Sequence, residues 1–239
     1  MRIGPGVHLV ASGSLGASIS SDWDCNVYAL EAGGETWLID AGVGHEPERI
    51  EAELGGLAVD RVFITHGHLD HSGGAHWWRQ RGARIHASPL TARALESGDE
   101  DAIHLPLARR QGIYPPDFRY TSCPVDRVVE PGETIVHGNV RLTAIAAPGH
   151  AADMICFAVE MGGARLLFGA DAIFHGGRIA RNDNPDASIG EYEHTLRHLG
   201  TLDWEALYPG HGIWSARDGK RHVTAALAWF DRGEVPPNL

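Results

Sequence analysis

Cysteine is scarce in this sequence of 239 residues, which contains only Cys25, Cys123 and Cys156. An odd number of cysteines without paired spacing argues against the disulfide framework that holds many small secreted domains together. The sequence instead predicts three reduced thiols that pack as small hydrophobic side chains.

Long hydrophobic runs are also missing from the sequence. No stretch approaches the roughly 18 apolar residues that a membrane-spanning helix needs. Residues 1–20 lack the apolar run of about 7–15 residues that characterises a secretory signal. We therefore predict a cytoplasmic protein that does not contact a membrane.

Positive charge is in short supply as well. Lys and Arg number 20 against 31 Asp and Glu, which leaves a net charge of −11 with histidine counted as neutral. Proteins that grip a phosphate backbone usually carry an excess of basic residues or a basic face. The charge balance therefore disfavours a nucleic-acid partner and favours a small-molecule substrate, while the oligomeric state stays open.

The remaining composition is that of an ordinary globular protein, 43% hydrophobic and 21% charged. Short apolar runs bounded by Gly, Asp and Pro alternate with helical patterns, which predicts a layered α/β fold in one domain over residues 1–239. The predicted strands lie at residues 26–30, 36–39, 61–65, 84–87, 140–146, 155–159, 165–168 and 206–208. The predicted helices lie at residues 48–53, 75–81, 189–199 and 217–230.

Residues 88–129 differ from their surroundings because they are rich in Pro, Arg and acidic residues. A helix is expected to begin near Pro89, and the rest is predicted to be an irregular insertion. Long insertions are commonly lids or binding loops, so Tyr114 or Tyr120 is expected near the functional site. A surface excursion without a role is the alternative that the sequence leaves open.

The most informative segment of the chain directly follows the apolar run 62–65. It contains His66, His68, Asp70 and His71 within six residues. Imidazole and carboxylate are favoured ligands of zinc, iron and manganese. A lone histidine is usually a packing or surface residue, but this cluster is difficult to explain by packing and predicts a metal site.

The shape of this metal loop follows from its spacing. On a regular strand His66 and His68 would share one face while His71 would point away. The loop must therefore curve, so that the first pair and the Asp70–His71 pair serve neighbouring positions. Gly73 and Gly74 follow, and they allow a close approach of backbone before the next helix.

Three further segments have a common design, in which an apolar strand ends in a sharp turn followed by one ligand-type residue. Pro and Gly set such turns at strand ends, where α/β domains place functional side chains. The three ligand-type residues are His150, Asp171 and His211.

Together the four segments closely resemble the metallo-β-lactamase superfamily, whose pattern is His-x-His-x-Asp-His followed by a distant His, an Asp and a final His. The resemblance spans residues 20–215 and implies a four-layer αβ/βα sandwich. It also implies two bound divalent metal ions. Zinc is the expected metal, and iron or manganese are the alternatives. The implied metal ligands are His66, His68 and His150 for one ion, Asp70, His71 and His211 for the other, and Asp171 as a bridge between them.

The same resemblance implies roles for two aspartates. Asp70 would orient the attacking hydroxide and relay its proton, which makes Asp70 the catalytic residue in addition to a ligand. Asp40, at the end of an apolar strand, would support the metal loop from behind the ligands. The implied reaction is hydrolysis by a hydroxide that the two metals hold, without a covalent intermediate.

Several residues indicate which branch of the superfamily the sequence resembles. Asp171 as the bridge points to the glyoxalase II-like and lactonase-like branch, whereas β-lactamases with Cys at that position are excluded. Only 28 residues follow His211, which disfavours a glutathione-binding extension, and Phe174 and His175 stand where lactonases place Tyr. The expected substrate is therefore a small carboxyl ester, thioester or lactone.

Two rival functions remain, a phosphodiesterase or nuclease of the same fold and a metal-binding protein without catalysis. Substrate contacts are predicted just after Asp171, at His175, Arg178 and Arg181, because Arg can hold a carboxylate with two hydrogen bonds. For these three residues, solvated surface charge is the plainer interpretation.

Overall fold

The computed structural model describes residues 1–239. The chain forms two compact units, Met1–Glu130 and Pro131–Leu239. No helix is both long enough and apolar enough to cross a lipid bilayer.

The first unit is built on a seven-stranded sheet whose spatial order follows the sequence. Strands β1 to β4 pair antiparallel, and strands β4 to β7 pair parallel. The strands are β1 (Arg2–Gly4), β2 (Val7–Ala11), β3 (Val27–Ala32), β4 (Glu35–Ile39), β5 (Arg61–Phe63), β6 (Arg84–Ala87) and β7 (Arg127–Val128). Because the carboxyl ends of the parallel strands lie at one edge, the residues after β4 and β5 are brought together.

Five helices accompany this sheet, and several have clear start signals. Helix α4 begins with the Ser88 hydroxyl accepting from the Thr91 amide and with Pro89 in its first turn, both favoured there. It ends at Gly98 in the left-handed conformation. The helices are α1 (Pro47–Glu53), α2 (Leu69–Ser72), α3 (Ala75–Gln80), α4 (Pro89–Ser97) and α5 (Leu105–Arg110).

The second unit contains a five-stranded sheet in the order β12-β11-β10-β9-β8. Strands β8 to β11 pair antiparallel, and β12 pairs parallel to β11. Its elements are β8 (Thr134–His137), β9 (Val140–Ala146), β10 (Ile155–Met161), β11 (Ala164–Ala170), a 3-10 turn (His175–Gly177), α6 (Ile189–Thr201), β12 (Ala206–Pro209) and α7 (Lys220–Phe230). Ser188 caps α6 by accepting from the Glu191 amide, as a serine at this position commonly does.

Each unit has its own cluster of buried apolar side chains. In the first unit Val62, Ile85 and Trp78 belong to one such cluster, and in the second Leu167 and Leu196 belong to another. The three cysteines are free and buried, which confirms the prediction of reduced thiols used as small hydrophobic side chains.

Every predicted strand and helix is present, with ends that differ by a few residues. The mixed α/β class predicted from the sequence is therefore confirmed, while a single domain over 1–239 stays a prediction. Within 88–129 the structure contains α4, α5 and β7. The helix near Pro89 is thus confirmed, but the segment is more regular than predicted.

Candidate metal centre

In the first unit the metal loop, residues 66–71, begins three residues after the last residue of β5 and curves into the short helix α2. His68 has an extended backbone at the start of α2, and Asp70 and His71 lie in its single turn. The ring centroids of His66 and His71 are 4.1 Å apart, and His66 Nε2 lies 3.0 Å from His68 Nδ1. The curvature predicted from the spacing is therefore observed, and it brings these side chains together.

Asp40 holds this loop from the end of the neighbouring strand β4. Its Oδ1 accepts from the Thr65 amide at 2.8 Å, and its Oδ2 lies 2.8 Å from His71 Nδ1 and 3.0 Å from the Thr65 hydroxyl. Burial raises the pKa of the Asp40 carboxyl, whereas His71 and the Thr65 donors lower it. Asp40 also has a left-handed backbone, with φ of 66°, a conformation that non-glycine residues rarely adopt.

The glycines after the loop permit the close approach that their position predicts. A Cβ on Gly74 would lie 2.1 Å from the Ala41 carbonyl oxygen, and one on Gly73 would lie 2.3 Å from the Val43 carbonyl oxygen. The Gly74 amide donates to Gly42. A side chain at either glycine would therefore push the segment after Asp40 away from the metal loop.

The 88–129 segment contacts the loop through both of its tyrosines. The Tyr114 hydroxyl donates to Asp70 Oδ1 at 2.9 Å, and the Tyr120 hydroxyl lies 3.1 Å from the Ser72 hydroxyl. Burial, strengthened by the Asp70 charge, raises the pKa of Tyr114 well above its usual value. Tyr114 therefore lies against a residue that the sequence predicts as a metal ligand.

A further buried carboxyl group of the first unit, that of Asp24, carries no signal in the sequence. Its oxygens accept from the Val43 amide at 2.8 Å and the Ser21 amide at 3.1 Å. Burial is the main reason that its pKa rises to about 6, and the charge of Asp70 adds to the rise. Asp24 thus ties the β2–β3 connection to the segment after Asp40.

In the second unit, His150 follows β9 in a turn that Gly149 makes possible. Gly149 has φ of 141°, and a Cβ there would lie 2.8 Å from Tyr192. His150 Nδ1 donates to the Ala180 carbonyl at 2.8 Å. Because a carbonyl can only accept, the proton of the neutral ring is on Nδ1, and Nε2 keeps its lone pair for a ligand.

Asp171 and His211 follow the parallel strands β11 and β12, so both lie at the same edge of the second sheet. The Nε2 atoms of His150 and His211 lie 3.4 and 3.5 Å from Asp171 Oδ2. Ala170, just before Asp171, has a left-handed backbone with φ of 43°. Tyr192 braces this region, since its hydroxyl lies 2.8 Å from the Asp171 carbonyl and 2.9 Å from the Ala180 carbonyl.

The spacing of donor atoms in each unit fits divalent metal ions. Two ligand atoms on one tetrahedral zinc, each about 2.0–2.1 Å from the metal, lie about 3.4 Å apart. The three Nε2–Oδ2 separations are 3.4 Å for His71–Asp70 and 3.4 and 3.5 Å in the second unit. They exceed the usual N–H···O hydrogen-bond length of about 2.7–3.2 Å. The imidazole and carboxylate donors, buried and held from behind, therefore suit a metal ion.

The residues predicted to contact the substrate, His175, Arg178 and Arg181, contact other groups of the second unit. His175 is exposed and its ring centroid is 4.6 Å from that of His222. Arg178 donates to the Asn238 carbonyl at 2.6 Å, and the Arg181 amide donates to the Asn238 side chain at 2.6 Å. A role of these residues in substrate binding stays a prediction.

Comparison with known proteins gives three kinds of match. The family model described as the metallo-beta-lactamase superfamily matches residues 21–211. Among curated proteins, an atrochrysone carboxyl ACP thioesterase of Aspergillus fumigatus is 28% identical over 193 residues, which is 78% of this chain and 50% of the relative. An uncharacterised protein of Aquifex aeolicus is 27% identical, and the match covers 74% of this chain and 78% of the Aquifex protein.

The first of these relatives is much longer than this chain, which spans about half its length. Among solved structures, a metallo-beta-lactamase with a HARLDQ motif from Cronobacter sakazakii is similar with a TM-score of 0.72. The two chains are 19% identical, and the likeness covers 98% of this chain and 96% of the other. This likeness confirms the fold class predicted from the sequence.

Proposed function

Because this chain belongs to the metallo-beta-lactamase superfamily, we propose that it is a metal-dependent hydrolase of small carboxyl thioesters, esters or lactones. The observation that carries the proposal is the separation of about 3.4 Å between paired imidazole and carboxylate atoms in both units. Thioesters come first among the three substrate classes, since several curated relatives are named as thioesterases. The substrate itself is a small molecule rather than a nucleic acid.

The metal ligands of the proposal are those that the family resemblance implies. The one ion is assigned to His66, His68 and His150, the other to Asp70, His71 and His211, and Asp171 to both. The fixed tautomers of His71 and His150 support the assignment, because in each ring Nδ1 is engaged and Nε2 is left as the ligand atom. Zinc suits this donor set best, and iron or manganese are the alternatives.

When bound to these residues, divalent ions would lower the pKa of a water molecule toward about 7 and would stabilise negative charge on the substrate oxygen. Proton transfer and the positioning of the reacting groups are carried out by side chains of this chain. Asp70 accepts the proton of the attacking water, and Tyr114, hydrogen-bonded to Asp70 Oδ1, keeps that carboxylate in one orientation. Asp40 and Thr65 hold His71 in place.

A covalent route through a side chain is disfavoured by the environment of the nucleophilic residues. Ser215 lies 2.7 Å from His222 Nε2, which resembles a catalytic pair. However, His222 Nδ1 accepts from the Gly176 amide at 2.9 Å, so the neutral ring carries its proton on Nε2 and cannot act as a base for Ser215. Burial raises the pKa of the Cys25 thiol, and that of Cys123 to about 11.

Among the two rivals, a phosphodiesterase or nuclease is opposed by the excess of 31 acidic over 20 basic residues. A metal-binding protein without catalysis is opposed by the complete set of seven ligand-type residues that match the family pattern. The free, buried cysteines fit a reducing compartment, and we retain the cytoplasm as the proposed location.

The decisive experiment is a side-by-side screen of the zinc-loaded protein against thioesters, lactones, aryl esters, β-lactams and phosphodiesters. We expect hydrolysis of one or more carboxyl substrates, with a rate that rises through about pH 6–8 as the nucleophilic water ionises. Rapid mixing should show no burst of product, because no side chain takes up the acyl group. Cleavage of phosphodiesters with refusal of all carboxyl substrates would replace this proposal by the phosphodiesterase one.

A further inference from the structure

An aromatic group of four side chains adjoins the metal loop within the first unit. We call it the aromatic wall, and it consists of Trp23, His45, Tyr114 and Phe118. Trp23 comes from the connection between β2 and β3, His45 from the segment after β4, and Tyr114 and Phe118 from the segment after α5. Three separate parts of the chain thus supply the wall, and none of the four residues is a proposed metal ligand.

Phe118 is the centre of the aromatic wall. Its ring centroid lies 4.9 Å from that of Trp23 at an angle of 70°, 5.1 Å from that of His45 and 6.0 Å from that of Tyr114. Trp23 and His45 also meet edge to face at 5.7 Å. These distances fall within the range of about 4.5–7 Å at which aromatic rings attract each other.

Tyr114 connects the aromatic wall to the metal loop. One end of its ring system packs beside Phe118, while its hydroxyl donates to Asp70 at 2.9 Å. The wall therefore begins one side chain away from the carboxylate that the proposed function places beside the reacting water. A substrate group that projects from that point toward Tyr114 meets the Phe118 and Trp23 rings next.

The wall is held in a defined position, because the segment that carries Tyr114 and Phe118 is internally braced. Arg109 donates twice to the Glu100 carboxylate, at 2.7 and 2.8 Å, and also to the Phe118 carbonyl. Glu100 in turn accepts from the Tyr120 amide at 3.2 Å. A braced wall can select between substrates by shape, since little ordering is needed when a ligand binds.

The rings of the wall remain partly open to solvent. Trp23, Tyr114 and Phe118 are only partly buried and pack on the edge of the first unit's core, and His45 is exposed. By contrast, Trp37 and Trp78 are fully buried. Partly exposed aromatic side chains that converge beside polar catalytic groups are typical of a ligand-binding surface.

We propose that the aromatic wall is an acyl-binding subsite that selects thioesters of flat aromatic acids over those of short acyl groups. The inference rests on the proposed function, because it names the substrate class of the same site. A flat acyl ring can stack on or meet Phe118 and Trp23 edge to face, whereas an acetyl group is too short to cover either ring. The loss of one such ring contact corresponds to a change of roughly 2- to 10-fold in the preference.

The test compares two probes of the same leaving group, the benzoyl and the acetyl thioesters of N-acetylcysteamine. For the zinc-loaded wild type we expect a higher kcat/KM with the benzoyl thioester. In Phe118→Leu the ratio of benzoyl to acetyl kcat/KM should fall about 5- to 10-fold, mainly through KM. Phe118→Tyr keeps the ring and should restore the ratio, and Phe230→Leu, a half-buried phenylalanine on α7, serves as the matched control.

A second measurement separates this subsite from the hydrolytic activity. The benzoyl ketone in which a CH2 group replaces the thioester sulfur cannot be hydrolysed, and its Kd can be measured by calorimetry. We expect Phe118→Leu and Trp23→Leu to weaken its binding about 5- to 10-fold in the folded protein. If the wild type hydrolyses thioesters but neither the ratio nor this Kd responds to Phe118→Leu, the subsite is wrong and the proposed function stands. If thioesters, esters and lactones are all refused while the Kd responds as expected, the proposed function is wrong and the aromatic subsite stands.

Discussion

The two units deliver their candidate metal ligands in different ways. The first unit supplies four from one short loop and the helix α2 that follows it, all within six residues. The second unit supplies three from three separate strand ends, after β9, β11 and β12. A ligand set on one loop depends on local geometry, whereas a set from three strands depends on the whole sheet.

The contacts that hold the candidate ligands in place also differ between the two units. In the first unit the buried carboxylate of Asp40 holds both Thr65 and His71. In the second unit neutral groups hold the ligands, because His150 donates to the Ala180 carbonyl and the Tyr192 hydroxyl donates its one proton between the Ala180 and Asp171 carbonyls. A charged support makes stronger hydrogen bonds than a neutral one. Metal binding by the first unit should therefore depend more on the single supporting residue Asp40. Metal binding by the second unit should depend more on the single ligand Asp171.

The largest expected effect follows from replacing the carboxylate of the second unit. Asp171→Ala should reduce the bound metal from about two ions to one or fewer per chain and abolish nearly all activity, because His150 and His211 share this one partner. Elemental analysis and steady-state rates on the same preparation measure both effects. Full metal content with a normal rate in Asp171→Ala would show that Asp171 does not bridge.

The next effect concerns the support of the first unit. Asp40→Ala should weaken metal binding or activity about 10- to 100-fold, because His71 and Thr65 lose the carboxylate that orients them. A competition titration with a chelating dye gives the metal affinity. Asp60→Ala is a suitable control, since Asp60 accepts from the Thr36 amide but touches no proposed ligand. Equal metal affinities in the two variants would contradict the role of Asp40.

A smaller effect is expected from the neutral support of the second unit. Tyr192→Phe removes the hydroxyl whose one proton the Asp171 and Ala180 carbonyls share, while the ring stays in place against Gly149. The free energy of unfolding should fall by about 1–2 kcal/mol, with less loss of metal affinity than in Asp40→Ala. Urea denaturation and the same dye titration provide the comparison. A metal affinity lower in Tyr192→Phe than in Asp40→Ala would reverse the proposed contrast between the units.

The smallest effect concerns the pH dependence of stability, to which each unit contributes one buried histidine. Burial lowers the pKa of His86 and of His222 to about 4. Both rings are therefore neutral in the folded protein, while in the unfolded chain they take up protons near pH 6.5. The contribution of these two histidines to the free energy of unfolding should thus be constant above about pH 6.5 and fall by about 1–3 kcal/mol per histidine as the pH drops toward 4.

The two histidines can be told apart by substitution. His86 stacks on Phe63 and its ring nitrogens have no hydrogen-bond partner, so His86→Phe should flatten the pH dependence with little loss at pH 7. His222 accepts from Gly176 and contacts Ser215, so His222→Phe should also destabilise the protein at pH 7. Urea denaturation of the metal-free protein between pH 4 and 8 measures both. A pH dependence that is unchanged in His86→Phe would remove His86 from this account.

The contrast between the units also explains what could be predicted from sequence. The metal loop was predictable because its four ligand-type residues are adjacent, and Asp40 was predictable from the family pattern. His150, Asp171 and His211 each look ordinary in isolation, and only their order along the chain made them informative. The strands that carry them were found from apolar runs and turn residues, which record local structure well.

Other parts could not be predicted because they depend on long-range contacts. Asp24 and the aromatic wall meet the rest of the first unit through residues far apart in sequence, such as Val43 for Asp24. Strands β1, β2, β7 and β8 were missed, since short strands that take their register from a neighbour have little pattern of their own. Among these long-range contacts, the sequence indicated only those of Tyr114 and Tyr120, because they are aromatic residues in a long insertion.

We propose that this chain binds two metal ions through the seven ligand-type residues that match the family pattern. The measurement that tests it most directly is the metal content of the full chain, purified without chelators and without a metal-affinity tag, by elemental analysis. We expect about two transition-metal ions per chain, mainly zinc. Fewer than one metal ion per chain in freshly purified, folded protein would contradict it.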